Sequence, residues 1–106
     1  MTLVTHFKDP KVVTLVLMIG NTDNRLTQQE WAAYCNEFMQ LVTREALEVH
    51  FCGGPSTWST YQNLCMVGVF DLGEPDHSRF VRELQDLRVR FRQDSVAVVP
   101  GITQFI

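Results

Sequence analysis

The fold is decided by two apolar runs, VVTLVLMI (residues 12–19) and LCMVGVF (residues 64–70). Seven of the eight residues in the first run are apolar, and Gly20-Asn21 closes it. The second run is again almost wholly apolar. Because neither run alternates apolar with polar residues, each is predicted to be a strand with both faces covered. Both runs are therefore expected in the centre of a sheet.

Two further segments have the spacing of amphipathic helices. Thr27-Gln28-Gln29-Glu30 fits a capping box, so a helix is predicted from here to about Glu45. A second helix is predicted to start at Pro75 or Asp76 and to end near Gln93. The apolar residues at helical spacing are Trp31, Tyr34, Cys35, Phe38, Leu41 and Val42 in the first helix, and Phe80, Leu84, Leu87 and Phe91 in the second.

The remaining segments predict shorter strands. Residues 47–52 alternate with period two, and the Gly-Gly-Pro-Ser segment at 53–56 breaks or bulges this strand. Residues 57–61 resume it before a turn at Gln62-Asn63. The last strand is predicted over residues 95–99, with Pro100-Gly101 stopping or bending it.

The resulting order is strand, helix, strand, strand, helix, strand, which is the pattern of ferredoxin-like domains. We therefore predict one α+β domain over residues 1–106, a ferredoxin-like βαββαβ sandwich whose four-stranded antiparallel sheet carries two helices on one face. In that fold the first and third strands are central, and these are the two continuously apolar runs.

This arrangement predicts self-association. If the central strands are apolar on both faces, the face without helices is a large exposed patch, and monomers rarely carry one. A second copy packed sheet to sheet or edge to edge would cover it, so a homo-oligomer, with a dimer as the first choice, is expected. Alternatively, residues 1–11 or 102–106 fold back over the sheet.

Composition excludes several classes of partner. The net charge of −3 disfavours nucleic acid, and RNA-binding relatives of this fold need stacking aromatics that residues 12–19 lack. No apolar run approaches a membrane span of about 18 residues, and the first residues do not form a secretory signal. We expect no membrane partner and a cytoplasmic protein.

The cysteines and histidines do not have the spacing of a metal or catalytic site. Cys35, Cys52 and Cys65 form no C-x-x-C pair, and no histidine is placed to complete a zinc site. Reduced, unreactive thiols are therefore expected. No catalytic residue, metal or cofactor is predicted.

Two groups of residues are candidate ligand sites. His50 is expected on the open face of the sheet, near Trp58 and Tyr61, where the three would wall a pocket for a small molecule or fill a dimer interface. Gln93-Asp94-Ser95 offers a carboxylate and a hydroxyl where the second helix passes to the last strand. These three residues either cap the helix or bind a ligand.

The arginines are concentrated in one segment. Five of the nine Lys and Arg residues lie between positions 79 and 92, against two acidic residues. Arg79, Arg82 and Arg90 are expected on the outer helix surface, either as a solvated face with i,i+4 pairs to Asp86 or as a site for an acidic protein.

Four segments form a recognisable set: LMIG at 17–20, LTQQEW at 26–31, GGPSTW at 53–58 and RFRQDSV at 90–96. Together they resemble a bacterial family of small ferredoxin-like domains of unknown function. That family is similar in its Glu-Trp helix start, its Gly-x-Trp turn and its Arg-Phe-x-Gln-Glu-Ser-Val motif, in which Asp94 here stands for Glu. The resemblance implies the fold and no reaction.

The absence of a catalytic constellation favours a small non-enzymatic domain that self-associates and binds a partner protein or a small ligand. The alternative is a cofactor-independent enzyme or small-molecule sensor of the dimeric ferredoxin-like type, with a pocket on the open sheet face. A third hypothesis is a regulator whose arginine helix binds an acidic protein.

Overall fold

The structure, a computed structural model, describes residues 11–21, 23–54, 62–73 and 76–106. Its elements are β1 (Val12–Gly20), α1 (Gln28–Glu45), β2 (Glu48–Gly53), β3 (Asn63–Asp71), α2 (Asp76–Arg90) and β4 (Ala97–Gly101). The strands form one antiparallel sheet in the order β2-β3-β1-β4. The predicted ferredoxin-like sandwich is confirmed, and the two apolar runs are its central strands.

The core lies between the helices and one face of the sheet. Alternate residues of β1, Leu15, Leu17 and Ile19, are buried there with residues of β3. Both helices contribute the apolar positions that their spacing predicted. The buried helix residues are Tyr34, Phe38, Leu41 and Val42 from α1, and Phe80, Leu84 and Leu87 from α2.

The start of α1 follows the sequence prediction. The Glu30 amide donates to the Thr27 hydroxyl at 3.1 Å, and the Thr27 amide donates to the Glu30 carboxylate at 3.0 Å. These two bonds satisfy donors that a helix start leaves without partners. The capping box is therefore confirmed.

A buried amide pair holds the loop between β1 and α1. Asn21 donates to the Gln62 side-chain oxygen at 2.9 Å and to the Leu26 carbonyl at 3.1 Å, and its own oxygen accepts from the Leu26 amide at 3.0 Å. Both amide residues are buried.

The turn predicted at Gln62-Asn63 is wrong in part, because Asn63 is the first residue of β3.

The end of α2 lies earlier than predicted, at Arg90 and not near Gln93. Arg92 adopts a left-handed φ of 56°. The Gln93 amide donates to the Arg88 carbonyl and the Arg92 amide donates to the Val89 carbonyl, each at 3.0 Å. This is a Schellman motif, in which a left-handed residue returns two amides to the last turn. Arginine takes the place usual for glycine.

The last strand is displaced from its predicted position. It spans Ala97–Gly101 and not residues 95–99, so Pro100 pairs with Leu15 inside the strand. A proline is tolerated because β4 is an edge strand, where a missing N–H can face solvent. Of the two predicted effects of Pro100-Gly101, stopping the strand is wrong, because both residues lie within β4.

Strand β2 contains a bulge at His50. Val49 pairs with Gly68 and Phe51 with Val67, so two residues of β2 face one of β3. Strict alternation would place Val49 and Phe51 on the same face. The extra residue instead moves Phe51 to the face without helices. Residues 57–61, predicted to resume this strand, lie outside the described residues.

Candidate functional site

The face of the sheet without helices is organised in rows. Residues paired across neighbouring strands point to the same face, so the register defines which side chains lie side by side. One row contains Gly101, Thr14, Val69 and Glu48, a second Val99, Val16, Val67 and Phe51, and a third Ala97, Met18, Cys65 and Gly53.

The C-terminal segment covers the first row. The hydroxyls of Thr103 and Thr14 are hydrogen-bonded, although Thr14 lies on a central strand. Further along, the ring of Phe105 meets the ring of His50 edge-on, with centroids 6.2 Å apart. Val69 is only 2% exposed although it is not part of the helix-side core. Residues 102–106 therefore cross the sheet from β4 to β2.

The geometry of this crossing is consistent with an extended chain. Three strand spacings separate β4 from β2, which is about 14 Å. Four extended residues after Gly101 span roughly 13 Å, and the side chains of Phe105 and His50 cover the rest. The alternative prediction that residues 102–106 fold back over the sheet is thus confirmed for one row. The other segment considered was residues 1–11, of which residues 1–10 lie outside the described residues.

The second and third rows remain uncovered by described residues. Met18 is 41% exposed, Val99 52% and Phe51 53%. Together with Val16 and Val67, these residues form what we call the open face, an apolar surface made by the second and third rows of the sheet. Large exposed apolar patches in proteins commonly mark interaction sites.

His50 lies at the edge of the open face. Its Nε2 atom is 3.5 Å from a Glu48 carboxylate oxygen, and its ring contacts Phe105. Trp58 and Tyr61, the other two residues of the predicted pocket, lie outside the described residues. That three-residue pocket therefore stays a prediction. Phe105 is a neighbour of His50 that the sequence pattern did not indicate.

The Gln93-Asp94-Ser95 joint is held by contacts with other segments. Gln93 is buried. Its side-chain amide donates to the Phe91 carbonyl at 3.2 Å, and its backbone carbonyl accepts from Arg88 at 3.0 Å. Asp94 accepts two hydrogen bonds from Arg25, at 3.0 and 3.4 Å. The joint thus has the local bonds of a cap, and its predicted ligand role stays a prediction.

Arg25 links two carboxylates at this end of the sheet. Its Nε atom is 3.2 Å from Asp23 and its Nη1 atom 3.0 Å from Asp94. The hydrogen bond and charge of Asp94 raise the pKa of the Arg25 guanidinium, with a smaller contribution from Asp23. A cavity of about 360 Å³ adjoins the pair. Its lining residues are Met18, Ile19, Gly20, Asp23, Asn63, Gln93, Asp94, Ser95 and Ala97.

The arginines of α2 mostly pair with the neighbouring helix. Arg79 lies 3.1 Å from Glu45 of α1, and Arg90 pairs with Glu37 of α1 and not with Asp86. A groove of about 550 Å³ runs between these charges. Of the three arginines predicted to bind an acidic protein, Arg82 makes no ion pair within the part of the chain that the structure describes.

A second cavity, of about 300 Å³, lies between α2 and β4. Arg88 and Gln85 come from the helix, and Val98 from the strand. Val98 pairs with Leu17, which places it on the helix side of the sheet. The sequence pattern did not indicate this cavity, because its two walls belong to different elements. The lining residues are Val81, Leu84, Gln85, Arg88, Asp94, Ser95, Val96 and Val98.

Two of the cysteines, Cys35 and Cys52, have thiols with a raised pKa. Burial raises the pKa of Cys35 to about 11, and burial also raises the pKa of Cys52. Since the thiolate is the reactive form, both residues are poor nucleophiles near neutral pH. Within the described ranges, no group of three or more His, Cys, Asp or Glu side chains is placed to hold a metal ion.

No protein-family model matches the sequence, and the comparison with curated proteins gives no match. Among solved structures, a hypothetical protein of Arabidopsis thaliana is 13% identical, with a TM-score of 0.57 over 89% of each chain. A dimeric ferredoxin-like protein from an uncultured marine organism is 13% identical, with a TM-score of 0.46 over 94% of this chain and 97% of that one. The first likeness supports the fold alone.

No helix among the described residues is long and apolar enough to cross a membrane.

Proposed function

We propose that this chain is a small ferredoxin-like domain that self-associates, and that its open face binds a second copy of itself. The observation that carries the proposal is the exposure of Met18, Phe51 and Val99, which lie on three strands of one apolar surface. These side chains are about half-exposed, so covering each one completely is worth roughly half of the about 1.5–3 kcal/mol for burying a fully exposed apolar side chain.

The charge of this surface favours a second copy over a charged partner. In the three rows of the sheet, Glu48 is the only Asp, Glu, Lys or Arg residue, with His50 in the bulge beside it. An acidic protein would meet no cation there. In a two-fold dimer the same patch meets itself, so a surface without repelling charges is self-complementary.

The segment over the first row limits where the second copy can pack. Thr103 and Phe105 already occupy the end of the sheet that contains Thr14 and His50. The contact is therefore expected to be centred on Val16 and Val67, between Met18 and the segment. The apolar residues of this segment add to the rim of the same contact, because Ile102 and Phe105 are exposed.

Light scattering coupled to size-exclusion chromatography tests the proposal. The unaltered chain should have a molar mass near twice its 12.2 kDa. Phe51→Lys and Val99→Lys place a charge in the contact and should shift the protein towards monomer, raising the dissociation constant by at least about tenfold, or 1.4 kcal/mol. Val89→Lys is the matched control, since Val89 is 62% exposed on α2, away from the sheet.

Two results would contradict the proposal. The first is a monomer at every protein concentration tested. The second is a dimer that Val89→Lys weakens as much as Phe51→Lys does, because the contact would then lie on the helices.

Membership of the bacterial family with the Arg-Phe-x-Gln-Glu-Ser-Val motif is also proposed. The support is that residues 90–96 form one structural unit here, the end of α2 and the chain leading into β4. The motif residue Gln93 is buried and Asp94 pairs with Arg25. Glutamate at position 94 should preserve this pair, so Asp94→Glu is expected to fold with unchanged stability in thermal unfolding.

A further inference from the structure

The cavity between α2 and β4 has mostly apolar walls and one cationic group. Val81 and Leu84 approach from the helix, and Val98 from the strand. Binding cavities for small molecules start at about 300 Å³, so this cavity is large enough for a short chain or a single ring. It lies on the helix side of the sheet, away from the open face.

Arg88 supplies the charge of this cavity. Its Nη1 atom donates to the Gln93 carbonyl at 3.0 Å, and a guanidinium has five N–H donors in all. Arg88 is partly buried and lines the cavity beside its apolar residues. A planar fork of this kind binds a carboxylate with two parallel hydrogen bonds.

The carboxylate of Asp94, which also lines the cavity, does not prevent an anion from binding to Arg88. Both of its carboxylate oxygens accept from Arg25, and 82% of its side chain is exposed on the solvent side. Asp94 is thus paired with Arg25 and turned to solvent, which leaves Arg88 as the partly buried charge at the cavity. Ser95 also lines the cavity, and a serine hydroxyl can donate a further hydrogen bond to an anion.

We propose that this cavity binds a small amphipathic carboxylic acid, with the carboxylate on Arg88 and Ser95 and the hydrocarbon part against Val81, Leu84 and Val98. An uncharged alcohol of the same length would leave the Arg88 donors without an anion. An alkylammonium would meet the guanidinium. The cavity therefore selects for the acid among molecules of equal size.

Three matched probes test the proposal: hexanoate, hexanol and hexylammonium, each titrated into the isotopically labelled chain and followed by amide chemical shifts. Hexanoate should shift the amides of Arg88, Ser95 and Val98 in a saturable manner. Hexanol should bind at least about tenfold more weakly, because a charge-assisted hydrogen bond is worth about 1.5–3 kcal/mol. Hexylammonium should not bind at these residues.

Three variants locate the site. Arg88→Gln keeps an N–H donor for the Gln93 carbonyl but removes the charge, and it should weaken hexanoate binding by at least about tenfold. Val98→Trp fills the cavity from an exposed strand position and should abolish binding. Arg82→Gln removes one charge from the same helix outside the cavity and should leave binding unchanged.

The proposal is overturned if hexylammonium binds as well as hexanoate, if hexanoate shifts no amide of the cavity, or if Arg82→Gln and Arg88→Gln have equal effects. Thermal unfolding of each variant verifies that it is folded. A folded Val98→Trp variant that still binds hexanoate with full affinity would also exclude this cavity. None of these results depends on the oligomeric state.

Discussion

Arg92 donates a hydrogen bond to the carboxylate of Glu30, with the two atoms 2.7 Å apart. Glu30 closes the capping box at the start of α1, and Arg92 is the left-handed residue that ends α2. Because Arg92 also donates to the Arg25 carbonyl at 3.4 Å, one side chain joins the end of the second helix to the start of the first.

The left-handed backbone of Arg92 predicts that glycine at position 92 gives a more stable protein than alanine. Arg92→Ala keeps the left-handed backbone, which costs a residue with a Cβ about 1–2 kcal/mol, and removes the ion pair, worth about 0.2–1 kcal/mol. Arg92→Gly loses the pair but relieves the backbone. Urea unfolding should therefore find Gly more stable than Ala by about 1 kcal/mol. An alanine variant as stable as the glycine variant would show that the backbone is not strained.

Glu30 should make stability depend on pH in the acid range. The Thr27 amide, and to a lesser extent Arg92, lower the pKa of the Glu30 carboxyl. A carboxyl with a lowered pKa stabilises the fold fully above its unfolded pKa of about 4.3, and this stabilisation is lost as the pH falls through the folded pKa. Thermal unfolding against pH should give a flatter acid limb for Glu30→Gln.

The relative size of the two contributions to the lowered pKa of Glu30, from Thr27 and from Arg92, gives a control. Because the Thr27 hydrogen bond is the larger cause, Arg92→Ala should flatten the acid limb less than Glu30→Gln does. Equal flattening by both variants would mean that the ion pair, and not the capping box, holds the carboxylate.

Tyr34 should tolerate loss of its hydroxyl. The hydroxyl is buried without a hydrogen-bond partner among the described residues, while the ring stacks on Phe91 with centroids 4.8 Å apart. Tyr34→Phe removes a desolvated polar group and keeps the stacking, so stability should be unchanged or higher by about 1 kcal/mol. Tyr34→Leu is the control, and it should lose about 0.5–1.5 kcal/mol of aromatic contact.

Tyr34 should also make the stability of the fold depend on pH in the alkaline range. Burial raises the pKa of Tyr34 to about 12. Since an unfolded tyrosine ionises near pH 10, the unfolded state releases its proton first, and stability should fall as the pH rises above about 10. Tyr34→Phe should show a smaller fall over this range in urea unfolding.

The C-terminal segment should contribute measurably to stability. Phe105 is about half-buried against His50, so Phe105→Ala should cost about 1.5–2.5 kcal/mol, roughly half the value for a buried phenylalanine. Ile106→Ala, at a fully exposed position, should change stability by less than about 0.5 kcal/mol. Hydrogen exchange at Val69 should rise only in the Phe105 variant. Equal effects of both variants would contradict the crossing of the sheet.

The sequence was sufficient for the parts of the fold that rest on local pattern. The unbroken apolar runs identified both central strands, and Thr27 with Glu30 marked the start of α1, because each signal lies within a few neighbouring residues. The open face followed from the same runs. The order of elements then left a single common topology.

The remaining features depend on contacts between distant segments. The bulge at His50 is set by pairing with β3, and the path of residues 102–106 is set by Thr14, far away in the chain. The end of α2 was misplaced because Arg92 adopts a conformation that favours glycine, with Glu30 as its distant partner. The cavity at Arg88 required the packing of α2 over β4.

The bulge in β2 decides which chemical groups each side of the sheet presents. Through the extra residue at position 50, Phe51 joins Val67 on the open face and Cys52 joins Met66 on the helix side. If the bulge closed with His50 retained, His50 would pair with Val67 and the later residues of β2 would change face, so that Cys52 faced the second copy and Phe51 the helices. Deleting His50 would instead remove the bulge and leave Phe51 and Cys52 on their present faces. One extra residue in β2 thus determines which side chains the open face presents, and a shift in strand pairing, without any change in sequence, would replace Phe51 by Cys52 on that surface.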